Sequence, residues 1–114
     1  MENVNVYDSV NNLAATIRKS KEYIEYKELK DKIKQDPDTK AKIDEFEKIR
    51  YEEQLLAIQG EKQSEEKMKK LQELYTILVK NPDVKNYYDV EVRFNVMIAD
   101  INRIIGEAIK DVLQ

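Results

Sequence analysis

Apolar residues recur along this chain at spacings of three and four, and short polar breaks divide the pattern into five stretches. Val6, Val10, Leu13, Ala14 and Ile17 share one helical face and predict a first helix over residues 6–19, with Asn5 as its N-cap. Ser20 is placed to cap a second helix over 21–35, whose stripe is Tyr23, Tyr26, Leu29 and Ile33, with Ile24 to one side. Asp36-Pro37 ends it, because proline disfavours the helical conformation in the residue before it and suits the first position of a new helix. The third helix runs from Pro37 to about Gln59 on a stripe of Ile43, Phe46, Ile49 and Leu56. Leu55 and Ile58 widen that stripe, and Gly60 is the stop. After a polar turn at 60–63, Ser64 caps a fourth helix with Glu65 and Glu66 in its positive first turn. Met68, Leu71, Tyr75 and Leu78 form its stripe, with Leu74 and Ile77 beside them. So short a turn predicts an antiparallel hairpin.

Asn81-Pro82 repeats the cap signal and opens a fifth helix that reaches about Leu113. Its face is Tyr87, Glu91, Phe94, Ile98, Ile101, Ile105, Ala108 and Val112, broadened by Val90, Met97, Ile104 and Ile109. At 1.5 Å per residue it is roughly 45–50 Å long, more than an ordinary globule of this size can cover. The N-terminal helices and a second copy of the chain are the expected covers. Gly106 interrupts the pattern and is a candidate for close helix approach. The expected fold class is all-α: an elongated bundle of about five helices, with a long antiparallel hairpin and a long C-terminal helix, in a single domain over residues 1–114.

Composition sharpens this picture. Charged residues make up 38% of the 114, and only two Gly and two Pro occur, as in a helical protein. There is no Cys and no His, which removes disulfides, thiolate metal sites and catalysis through a histidine base. No cofactor is expected. No apolar run reaches the roughly 18 residues of a membrane span. No membrane insertion is expected, and the expected compartment is the cytoplasm. The formal net charge is -3, with both signs spread along the chain, so strong direct nucleic-acid binding is not expected.

Few residues carry candidate chemistry. Glu91 is the acid on an otherwise apolar stripe and is expected to be a buried acid. It is read either as a group that binds a partner's cation or acts as an acid, or as a member of a structural ion pair or tyrosine hydrogen bond at a helix junction. Glu22, Glu25 and Glu28 form an acidic row, but lysines flank it and favour a solvated ion-pair face. Tyr51 and Tyr88 lie off the apolar stripes and are candidates for partner contact. Leu55, Leu56 and Ile58, near the hairpin tip, cannot all face the fourth helix and mark a candidate interface. A homodimer formed through the hairpin or the fifth helix is expected.

Asn5-Val6-Tyr7-Asp8, Leu13, Ile17, Ser20, Tyr26-x-x-Leu29, Asp36-Pro37 ahead of Phe46, and Asn81-Pro82 with Tyr87, Glu91 and Ile98-x-x-Ile101 form an ordered set. It resembles the YlbF/YmcA family of Gram-positive bacteria over nearly the whole chain, and looks most similar to the YheA-like branch. The resemblance implies an all-α fold, a dimer or higher assembly, and a non-enzymatic regulatory role. It also implies protein partners in a complex tied to RNA processing by a membrane-anchored endoribonuclease, and to competence, sporulation and biofilm formation. Some members carry cysteines that help hold iron–sulfur clusters; this chain has none, so that cofactor is not carried over. The alternative expectation is a small chaperone-like or scaffold protein that binds clients through the hairpin.

Overall fold

The computed structural model describes residues 5–113. Five α-helices follow one another: α1 (Val6–Lys19), α2 (Lys21–Lys34), α3 (Pro37–Ile58), α4 (Glu65–Leu78) and α5 (Pro82–Leu113). No strand occurs among the described residues, and the fold is an all-α helical bundle.

The helix ends are set locally. The Asn5 side chain accepts the Asp8 N–H at 3.1 Å, and the Ser20 hydroxyl accepts the Tyr23 N–H at 3.1 Å. Asp36 accepts the Thr39 N–H at 3.3 Å and Ser64 the Lys67 N–H at 3.3 Å, while the Asn81 side chain takes the Asp83 N–H at 3.0 Å. Each cap satisfies a donor that the first turn of a helix leaves without an intrahelical partner. The α3 exit is closed by Gly60 at φ 74°. There the Glu61 N–H reaches the Leu56 carbonyl at 2.9 Å and the Gly60 N–H the Ala57 carbonyl at 3.2 Å, the paired bonds of a Schellman motif.

The helices gather into two compact units. Residues 29–87 form the first, with α3 and α4 packed along each other as the expected hairpin. Its core is Ile33, Ile43, Phe46, Ile49, Leu74, Leu78, Val84 and Tyr87. Each large apolar side chain so enclosed stabilises the fold by roughly 1.5–3 kcal/mol. On α4 the buried residues are Leu74 and Leu78, whereas Met68 and Tyr75, expected on the main stripe, are exposed. The buried line is therefore rotated around α4 from the expected one. Tyr75 still meets Phe46 with ring centroids 6.1 Å apart.

Residues 5–28 and 88–113 make up the second unit. Phe94 of α5 lies against Tyr26 and Tyr23 of α2, with ring centroids at 5.4 and 6.4 Å. The Arg18 guanidinium lies 5.3 Å from the Tyr23 ring centroid. Helix α1 is amphipathic yet has no buried residue. Val6 and Val10 on α1, and Ile104, Ile105, Ile109 and Val112 on α5, are all exposed. Among the described residues, nothing beyond the helix's own neighbouring backbone comes within 4 Å of where a Cβ would stand at Gly106, so no close helix contact forms there.

Candidate interaction surface

The hairpin tip is built on one acid that the apolar pattern concealed. Glu53 is 1% exposed, the one buried charged residue reported among the described ones. Its Oε2 accepts the Ser64 N–H at 3.0 Å, and the Gln63 side-chain amide donates to the Glu53 backbone carbonyl at 3.1 Å. These bonds tie the far end of α3 to the start of α4 across the turn. Glu53 Oε1 is buried with no hydrogen-bond partner. Alongside, Lys67 and Glu52 pair at 2.9 Å. That hydrogen bond lowers the Glu52 carboxyl from its ordinary value and raises the Lys67 amine. Farther down the hairpin Lys70 meets Glu45 at 2.7 Å, which raises the Lys70 amine in the same way.

Glu53 completes the α3 stripe at the spacing Ile49, Glu53, Leu56. An acid at an apolar position of a stripe, the signal that marks Glu91 in α5, marks Glu53 in α3 as well.

With the tip fastened, its apolar side chains turn outward. Ile58 is 81% exposed, Tyr51 63% and Leu55 38%, while Leu56 is half-buried. Tyr88 belongs to the second unit and is half-buried, with its hydroxyl oxygen enclosed. Glu91 is half-buried too, and the Tyr26 hydroxyl donates to its Oε2 at 3.1 Å. Glu25 of the acidic row faces Lys21 at 3.8 Å and Arg93 at 3.7 Å. Among the described residues no three acids converge as a metal cage would require. No helix there is long and apolar enough to cross a membrane.

What the arrangement offers is contact: an apolar tip fastened across its turn by Glu53, a bare amphipathic α1, and an exposed apolar run on α5. The class is an all-α protein whose candidate sites are surfaces. The chain belongs to the YlbF/YmcA family, since residues 6–110 match the family described as control of competence regulator ComK, YlbF/YmcA.

Relatives agree over most of their length. A UPF0342 protein of Caldicellulosiruptor bescii is 35% identical over 106 residues, covering 93% of this chain and 89% of its own. One from Halothermothrix orenii is 36% identical over 100 residues, with 88% and 85% covered. One from Symbiobacterium thermophilum is 32% identical over 104 residues, with 91% and 93% covered. The family is described by the control of a regulator and not by a reaction.

Proposed function

We propose that this chain is a non-enzymatic regulatory protein of the cytoplasm that works by protein–protein contact. In this reading it is an adaptor linked to RNA processing and developmental control, and residues 1–114 act as one domain. The observation that carries the reading is the family match over residues 6–110, with its description as control of a competence regulator. The exposed tip residues Tyr51, Leu55 and Ile58 supply a surface of the kind such a role needs. The bare faces of α1 and α5 support self-association. A row of exposed apolar side chains on both helices is the sort of patch a monomer seldom leaves open and a second copy of the chain would cover.

Affinity capture of the tagged chain from its own cells, with and without ribonuclease treatment, followed by mass spectrometry, tests the adaptor role. A few partners at near-stoichiometric amounts that persist after ribonuclease are expected. Recovery of the chain alone overturns the reading. A second reading, a chaperone-like scaffold, draws on Ile58, which stands free at the hairpin tip. It requires suppression of aggregation of unrelated clients, weakened by Ile58→Ser.

A further inference from the structure

The first unit holds a half-enclosed pocket of about 200 Å³ where α2, α3 and the start of α5 meet. Its floor is apolar: Ile33, Ile43 and Tyr87 are all buried core residues that line it. Its rim is cationic. Lys30 and Lys34, one turn apart on α2, line the mouth, and among the described residues neither takes part in an ion pair. The lysine between them behaves differently, since Lys32 is paired with Asp83 at 3.2 Å. The acids at the pocket do not compensate the free pair. Asp44 is held by Lys40 at 2.7 Å, and Glu47 is itself engaged. In a chain of net charge -3, two uncompensated cations beside an apolar floor are a local inversion of the surface.

Size decides what such a pocket takes. Pockets for drug-sized ligands span about 300–1,000 Å³, whereas an apolar cavity of about 150 Å³ suffices for a benzene ring. The volume here suits one phenyl or isobutyl group. The open side leaves that group continuing outward, as a side chain continues into its backbone. We propose that this pocket is a docking site for an acidic protein segment, with one phenylalanine or leucine seated on Ile33 and Ile43 and flanking carboxylates meeting Lys30 and Lys34. The proposal rests on the contact-based function above and gives that function a second surface, apart from the hairpin tip. Charges at such a rim select the partner and speed its arrival, while the apolar anchor holds it.

The test is a titration of the isotope-labelled full chain, followed by NMR. The probe is a synthetic peptide with one phenylalanine flanked by aspartates. Shift changes centred on Ile33, Ile43 and Tyr87 are expected, as is loss of binding when alanine replaces the phenylalanine. Lys30 and Lys34 are exposed, so Lys30→Glu with Lys34→Glu leaves the fold intact by circular dichroism. That variant weakens binding by about tenfold or more and prefers a peptide flanked by lysines. Equal binding of the alanine peptide, indifference to the charge reversal, or phenylacetate binding as tightly as the peptide overturns the proposal. Failure here with stoichiometric partners still captured removes this pocket alone and leaves the adaptor reading standing.

Discussion

The Glu53 carboxyl holds the Ser64 N–H at 3.0 Å from a position where solvent scarcely reaches it. The same contact fastens the hairpin turn and leaves Oε1 buried without a partner. Two opposed effects follow on substitution. Removing the acceptor strands the Ser64 N–H, at about 1–3 kcal/mol, and truncation adds a cavity. Replacing the carboxyl by an amide keeps an acceptor and lightens the burden of the orphan oxygen. Glu53→Ala therefore destabilises by about 2–4 kcal/mol in urea unfolding, and Glu53→Gln changes stability by less than about 1 kcal/mol. Equal losses in both variants contradict this balance.

The two glycines answer the same substitution with opposite signs. Gly60 has φ 74° and open space around it, so only backbone strain opposes a side chain. Gly60→Ala costs about 1–2 kcal/mol. Gly106 lies inside α5 with nothing near its missing Cβ, and Gly106→Ala stabilises by about 1 kcal/mol through helix propensity. Thermal melts of the two variants should move in opposite directions.

Tyr26→Phe removes the hydroxyl that Glu91 accepts and leaves the ring against Phe94. A loss of about 1 kcal/mol is expected. In a double-mutant cycle with Glu91→Ala, which removes the acceptor, the same coupling energy should appear. A coupling near zero would mean that solvent replaces the bond freely.

Asp36 caps α3, and the Thr39 hydroxyl, with the Thr39 N–H, holds its carboxyl below the ordinary value of 3.8. Its folded value is thus lower than its unfolded one. The stabilisation is complete above about pH 4 and is lost as pH falls through the lower folded value. The advantage of the wild type over Asp36→Ala in urea midpoint should be full at pH 6 and shrink between about pH 4 and pH 2. An advantage that stays constant across that window would exclude the charge as its source.

Leu78, 3% exposed, and Ile105, 49% exposed, separate the interior of the chain from the exposed face proposed for self-association. Leu78→Ala should cost about 2–5 kcal/mol at any protein concentration. Ile105→Asp should instead lower the mass seen by light scattering from that of a dimer to that of one chain. An unchanged mass would remove α5 from the self-association surface.

Much of this architecture was legible in the chain because helix ends are decided by neighbours. Asn5, Ser20, Asp36, Ser64 and Asn81 each act within three residues, and the bounds of α1 and α5 coincide with those the pattern predicts. Packing depends on distant partners and was less legible. The stripe on α4 locates an apolar face, yet the approach of α3 decides that Leu74 is enclosed and Tyr75 is not. Phe94 and Ile101 lie on the expected core face of α5 and are only half-buried. Glu53 interrupts its stripe with a charge, and its reason stands eleven residues away at Ser64. The pocket beside Lys30 and Lys34 has no motif of its own, because residues from three helices meet there.

The short reach of the α3–α4 turn also bears on the order of assembly. Contacts close in sequence form fastest, because little loop entropy is lost before they are rewarded. The hairpin from Pro37 to Leu78 is complete in sequence before α5 begins at Pro82. A nascent chain, growing at about 5–20 residues per second, has ample time to close it while the C-terminal third is still being made. The residues that complete the Glu53–Ser64 bond are then already in hand, and the start of α5, with Val84 and Tyr87, arrives last into the core of the first unit.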